Sequence, residues 1–328
     1  MSATERAVAI DRAGEATARF LEDVIAGLSR TPRSLPCKYL YDKRGSLLFD
    51  AITGLEEYYP TRAETELLRA HAGAIAERLG PRVDLVELGS GSSVKTRILL
   101  DALRAPARYV PVDISAQHLR DTAAALMEAY PGVAIEPLVA DYAKPLPPLA
   151  LPPGASRRVV FFPGSSIGNF EPLEAVAFLA RARALAGRGG VVLIGVDLPK
   201  DASIIEPAYD DREGVTAEFN RNLLVRINAE LGADFDVEAF EHRAPWDSVR
   251  RRVEMRLVSE RDQVVRIGGH DFAIAAGEPI VTEHCYKHGV EDFRALARDA
   301  RLSAGPVWLD PGERMSMHWL DVPGDRAT

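Results

Sequence analysis

Val83-Asp84-Leu85-Val86-Glu87-Leu88-Gly89-Ser90-Gly91-Ser92-Ser93 decides the fold: an apolar run stops at an acid and opens into Gly-x-Gly. A short apolar run ended by glycines reads as the first strand of a doubly wound α/β sheet. The turn that follows lets backbone come close to a ligand. The next apolar run, Tyr109-Val110-Pro111-Val112-Asp113, also ends on a carboxylate, which is where such sheets hold a ribose. A bare Gly-x-Gly also occurs as a plain turn, so the surroundings have to carry the reading.

Those surroundings do not fit a dinucleotide. That fingerprint is G-x-G-x-x-G, whose third glycine lets the helix pack closely while its N-terminus faces the pyrophosphate. Here the segment runs Gly89-Ser90-Gly91-Ser92-Ser93-Val94-Lys95, and the third glycine is missing. Glu87, two residues before the turn, would set a negative charge beside the ligand. A pyrophosphate disfavours that charge and a cation favours it. S-adenosylmethionine carries a sulfonium and an ammonium and no phosphate. E-x-G-x-G, with Asp113 24 residues beyond Gly89, resembles the pattern of S-adenosylmethionine-dependent methyltransferases. So does Val139-Ala140-Asp141-Tyr142, a third strand end with a carboxylate and an aromatic where that class places adenine; alone, Asp141 could equally cap a turn. The candidate donor-binding residues are Glu87, Gly89, Ser90, Gly91, Lys95, Asp113, Asp141 and Tyr142.

Composition narrows the partners. The 328 residues, 47% hydrophobic, suffice for one large or two modest domains. A formal charge of −8 without a basic block argues against nucleic acid or an anionic membrane surface. No apolar run approaches the ~18 residues of a membrane span, and Met1-Ser2-Ala3-Thr4-Glu5-Arg6 lacks a signal-peptide core. Cys37 and Cys285 make neither a disulfide framework nor a metal site. His284-x-x-x-His288 on a strand would lie ~13 Å apart, too far to share a metal. A soluble, cytoplasmic, metal-free monomer acting on a small molecule is the expectation.

Along the chain, residues 7–30 show helical spacing (Val8, Phe20, Val24, Ile25, Leu28), and 36–46 reads as a tyrosine-rich loop. Thr61-Arg62-Ala63-Glu64 after Pro60 reads as a capping box opening a helix. Strand-like runs at 83–88, 108–113, 134–139, 157–163 and 190–197 then alternate with helices at 95–103, 115–129 and 172–186, which predicts right-handed crossovers and a parallel sheet. Beyond Pro199 the alternation breaks. Residues 212–232 read as a helix, and 252–259 and 264–267 as antiparallel strands outside the main sheet. A helix near 290–302 precedes a closing hairpin, Val307-Trp308-Leu309 and Met315 to Leu320 around Asp310-Pro311-Gly312. The expected fold is α/β: a Rossmann-like class I methyltransferase sheet with an antiparallel C-terminal hairpin (64–199 and 287–328). A second, discontinuous α+β substrate-binding domain comes from 1–63 and 200–286.

After the fourth strand comes Phe161-Phe162-Pro163-Gly164-Ser165-Ser166-Ile167-Gly168-Asn169-Phe170, at the carboxyl edge where open α/β sheets bind ligands. Asn169 offers a donor and an acceptor, suited to an amino acid's charged ends, although an asparagine helix cap would look the same. Longer motifs are more specific. Leu35-Pro36-Cys37-Lys38-Tyr39-Leu40-Tyr41-Asp42 with Gly45-Ser46, Glu57-Tyr58-Tyr59-Pro60-Thr61-Arg62-Ala63-Glu64 and Gly164-Ser165-Ser166-Ile167-Gly168-Asn169 resemble the histidine Nα-methyltransferase family of ergothioneine biosynthesis. So do Ala208-Tyr209-Asp210-Asp211, Val215-Thr216-Ala217-Glu218-Phe219-Asn220 and Thr282-Glu283. The likeness runs from about residue 20 to the C-terminus.

The resemblance implies a two-domain enzyme that moves three methyl groups in succession from S-adenosylmethionine to the α-amine of histidine, giving hercynine. It also implies that Asn169 and Tyr209 hold the substrate carboxylate beside Gly164. By the same likeness Tyr58, Glu283 and Cys285 read the imidazole, Met255 lines the side-chain pocket, and Tyr41 sits near the amine as the candidate catalytic residue. Strand alternation puts Glu283 and Cys285 on one face, ~6.6 Å apart, a separation that brackets a five-membered ring with two nitrogens. A carboxylate facing an imidazole N–H makes a charge-assisted hydrogen bond. One departure stands out: the family usually has serine where this chain has Cys285, and a thiol is the weaker donor and acceptor. That keeps another amino acid, such as tryptophan, as the runner-up substrate. A nicotinamide-dependent oxidoreductase and a catalytically silent amino-acid-binding relative are the rival classes.

Overall fold

The computed structural model describes residues 3–91 and 93–324, with side chains described from Gly14 onward; Ser92 of the glycine turn lies outside the described residues. The chain divides into two compact units. One comprises Thr53–Ala208, Asp247–Arg252 and Cys285–Thr328, the other Met1–Ile52, Tyr209–Trp246 and Val253–His284. Residues 53–63, 200–208, 247–252 and 285–286, expected in the substrate-binding domain, thus fall with the first unit.

The first unit is built on a seven-stranded sheet. Its order is Ser303–Leu309, Met315–Asp321, Val191–Asp197, Arg158–Phe162, Asp84–Leu88, Arg108–Asp113, Leu138–Val139. The last five strands run parallel. Met315–Asp321 runs antiparallel to Val191–Asp197 and pairs with Ser303–Leu309 in the expected hairpin. Every residue of Asp84–Leu88, Arg158–Phe162 and Val191–Asp197 is buried, as continuous apolar runs require when helices cover both faces. Leu67, Leu68, Leu85, Leu99, Phe161 and Trp319 fill the core on one face. Val86, Phe162, Phe178, Ile194, Phe293 and Leu320 fill the other. From Asp84–Leu88 the sheet grows first through Arg108–Asp113 to Leu138–Val139, and the chain then crosses back to Arg158–Phe162 on the other side. The order reverses at Asp84–Leu88, so a ligand crevice is expected at the carboxyl ends of these central strands.

Two local expectations change here. The strand expected over 134–139 is reduced to Leu138–Val139 plus an isolated bridge from Ile135 to Tyr109, because an edge position buries too little to hold a longer one. The helix expected from Thr61 starts at Tyr59 with Pro60 in its first turn. Glu64 does not cap it; its side chain goes elsewhere.

The second unit carries helices Ala3–Leu28 and Val215–Leu231 and a small sheet ordered Arg33–Ser34, Pro279–Tyr286, Arg252–Ser259, Phe240–Arg243. The segment read as strand at 264–267 pairs with His270–Ile274 in a separate hairpin. The loop expected over 36–46 is instead a 3-10 turn, Cys37–Leu40, followed by a helix from Lys43. Asp42 caps that helix by accepting from the Gly45 N–H (2.7 Å) and ties it to Asn222 Nδ2 (2.8 Å). Gly45 is required there: a Cβ would stand 1.8 Å from the Leu40 carbonyl oxygen. Among the described residues no helix is long and apolar enough to cross a membrane.

Candidate active site

The glycine turn after Asp84–Leu88 is built by backbone. Gly89 and Gly91 take φ of 72° and 46°, and Ser93 follows at 58°, conformations that favour glycine at the first two positions. The Gly89 and Ser90 N–H groups donate to the Val112 carbonyl, and the Gly91 N–H points at Asp113 Oδ2 (3.4 Å). Asp113 Oδ1 accepts from Ser115 N–H (2.9 Å), which fixes the carboxylate at the end of the second parallel strand. Tyr142 lies against the turn, its Cε1 3.3 Å from where a Gly89 Cβ would be, and packs edge-on to Phe162. Asp141 accepts from the Ala143 N–H (2.9 Å), so it does cap a turn. Ser90 is buried, and its hydroxyl has no partner among the described residues.

Glu87 sits beneath this turn rather than at its surface. It is 1% exposed and accepts from Thr96 Oγ1 (2.6 Å) and from the Tyr109 hydroxyl. Burial pushes its carboxyl up to about 7; the two hydrogen bonds and Lys95 oppose that shift. Lys95 Nζ does not reach it directly, but pairs with Glu64 Oε2 at 2.7 Å.

A second buried cluster lies at the end of Val191–Asp197. Asp197 accepts from Lys287 Nζ (2.6 Å), Lys200 Nζ (2.5 Å) and the Tyr59 hydroxyl (2.7 Å). Burial alone would raise its carboxyl; the two ammoniums outweigh that and hold it below the usual range. Lys287 also donates to Cys285 Sγ (3.3 Å). Cys285 adjoins the turn that holds Gly164 and Asn169: a Cβ on Gly168 would stand 2.5 Å from the Tyr286 carbonyl oxygen and 3.5 Å from the Cys285 sulfur. Tyr58, Gly164, Asn169 and Cys285 therefore belong to the sheet unit, and Tyr58 and Cys285 are buried. His288, which could have faced solvent, is buried just past its strand, and burial drops its imidazole to about 4.

Tyr41, Tyr209, Met255 and Glu283 belong to the other unit. Tyr41 packs edge-on between Phe49 and Phe219, both at 5.5 Å. The Tyr209 carbonyl accepts from His242 Nε2 (2.8 Å), and His242 Nδ1 accepts from Asn220 Nδ2 (2.9 Å). That chain pins the Tyr209 backbone to the helix that carries Asn220. Met255 is 2% and Glu283 8% exposed. Sequence reasoning missed His242, Lys287, Asp197 and the true role of Glu64. Apart from Lys200 beside Asp197 and Cys285 beside Lys287, their partners are distant in the chain, so no spacing rule links them.

A central parallel sheet finished by an antiparallel hairpin, with open backbone at the first strand end, a carboxylate at the second and an aromatic at the third, suits an adenosine-bearing ligand without phosphates. The chain is in this respect an S-adenosylmethionine-dependent methyltransferase. Within that class it belongs to the family described as histidine-specific methyltransferase, SAM-dependent, whose sequence model matches residues 20–322. It is 46% identical to a histidine N-alpha-methyltransferase of Mycobacterium tuberculosis over 309 residues (92% of this chain, 91% of that one). It is 44% identical to the protein of the same name in Mycolicibacterium smegmatis (93% and 94%). Ergothioneine biosynthesis protein 1 of Neurospora crassa is 35% identical over 88% of this chain and 33% of its own length.

Proposed function

We propose that this enzyme transfers methyl groups from S-adenosylmethionine to the α-amine of L-histidine, three in succession to give hercynine, the first step of ergothioneine biosynthesis. The family match over residues 20–322 carries the reading, supported by the donor turn. S-adenosylmethionine supplies a methyl group already activated on a sulfonium. The protein therefore has to align a neutral amine and exclude water more than supply strong acid or base.

The unit built on the large sheet takes the donor at Gly89, Ser90, Gly91, Lys95, Asp113, Asp141 and Tyr142, with Glu87 as a buried support. The residues 1–63 and 200–286 supply most of the substrate domain. Asn169 and Tyr209 hold the histidine carboxylate beside Gly164, Tyr41 faces the amine, and Met255 lines the side-chain pocket. Tyr58, Glu283 and Cys285 read the imidazole. Lys287 donates to the Cys285 sulfur and occupies it as an acceptor; the S–H is assigned to one imidazole nitrogen, while Glu283 accepts from the other. Cys285 then acts as the serine of the family does. The enzyme is expected to act as a cytoplasmic monomer, which fractionation and sedimentation would check.

Mass spectrometry of reactions with each proteinogenic amino acid tests the substrate. Histidine is expected to gain three methylene equivalents; turnover confined to an aromatic amino acid would overturn the assignment. Because the α-ammonium must lose a proton before each attack, the rate is expected to rise with pH as the bound amine deprotonates, over about pH 6–9. A flat profile with methyl transfer shown to be rate-limiting contradicts that mechanism.

A further inference from the structure

Glu64 reads in the sequence as half of a capping box, yet it has no exposed surface and caps nothing. Its carboxylate leaves the helix Tyr59–Leu79 and joins three other elements. Oε2 accepts from Lys95 Nζ (2.7 Å), in the first turn of Val94–Ala102, and from the Gly164 N–H (2.7 Å), in the turn after Arg158–Phe162. Oε1 has no hydrogen-bond partner among the described residues. It lies over Gly195 in Val191–Asp197, so close that a Cβ there would be 1.8 Å away. Two glycines therefore serve this one carboxylate. Gly195 leaves it room, and Gly164, at φ 85°, presents its N–H where a Cβ would crowd Lys95 Nζ at 3.3 Å.

A buried carboxylate is costly unless it is paired, and a neutral side chain would pack as well. The charge is kept at the carboxyl edge of the sheet, where its partner Lys95 remains 20% exposed with N–H groups beyond the one given to Glu64. The methionine end of the donor is a zwitterion. A neutral Glu–Lys pair meets it without leaving net charge buried, whereas a lone lysine would not.

We propose that Glu64 is a positioning residue for the methyl donor: it holds the Lys95 ammonium and the Gly164 amide together, so that Lys95 is aimed at the donor's amino-acid end and the 163–169 turn is set beside it. This rests on the reading that Lys95 contacts the donor. The test is calorimetry with S-adenosylhomocysteine on Lys95→Met, Glu64→Gln and the double variant, alongside steady-state kinetics. Each single change is expected to weaken binding by about tenfold or more. The double variant is expected to bind no worse than the weaker single, because residues acting as one unit are not additive. With Lys95→Met the KM for the donor rises, while that for histidine stays within about threefold. If Lys95→Met binds as the unaltered enzyme does, the donor-site reading fails. If Lys95→Met weakens binding but Glu64→Gln does not, or their effects add in full, the role given to Glu64 fails. Should Glu64→Gln not fold, Glu64→Asp, which keeps the charge but retracts it by one methylene, runs the same cycle.

Discussion

The two edges of the large sheet handle buried charge in opposite ways. At the amino edge, Asp84 is fully buried and saturated. Arg108 grips it through Nε (2.9 Å) and Nη2 (3.2 Å), and Arg158 Nε adds a third contact at 2.8 Å. The spare guanidinium nitrogens go to the Leu185, Leu149 and Ala150 carbonyls and to Glu136. At the carboxyl edge, the same strand ends in Glu87, whose proton is held to about 7 by burial. Beside it Glu64 keeps an oxygen without a partner, and Ser93 and Ser165 take positive φ. One edge spends its charges on closing the sheet. The other, apart from the paired Asp197 cluster, leaves unsatisfied atoms at Glu64 and Ser90 where ligands of such folds arrive, which is where deviations from local rules are expected to be functional.

Three measurements press on that contrast. Asp84→Ala leaves two guanidiniums buried without their anion and is expected to cost about 3–5 kcal/mol of stability in urea. Whatever folds should bind S-adenosylhomocysteine with unchanged affinity; a loss of donor affinity without a loss of stability would erase the distinction between the edges. Glu87 carries the next effect. Its folded value is raised from 4.5 to about 7, so the native state holds a proton that the unfolded chain has released. The stability this provides is full below about pH 4.5 and is lost as pH rises through about 7, a fall of about 3 kcal/mol. Urea midpoints of the unaltered enzyme should drop between pH 5 and 8, and those of Glu87→Gln should stay level. The smallest effect belongs to Cys285→Ser. A hydroxyl is the stronger donor, so the histidine KM is expected to fall by up to about tenfold, with the thermal midpoint little changed. A shift of preference toward tryptophan instead would show that the thiol does not act as a serine.

Much of this molecule could be read from the chain. The alternating apolar runs from Val83 to Asp197 announced the parallel sheet, because strands buried on both faces must be apolar throughout. The closing hairpin showed itself through Asp310-Pro311-Gly312, and Gly89, Gly91 and Asp113 sit where strand-end spacing put them. Local rules failed where a distant partner outbid the local one. Glu64 has the position of a capping residue, but Lys95, 31 residues away, and Gly164, 100 away, claim its carboxylate. Gly45 looked like a loop glycine, yet it serves a helix start that must clear the Leu40 carbonyl.

Periodicity, strand-end acids and turn glycines, all of them short-range consequences of backbone geometry, determined the sheet, its order of elements and the kind of donor it accepts. Which charges are spent and which are left over was decided only in three dimensions. Asp84 with its two arginines, Asp197 with Lys287, and Glu64 with Lys95 are pairings across large sequence separations. Those partners sit on different segments of the sheet unit and are brought together only once the chain has folded.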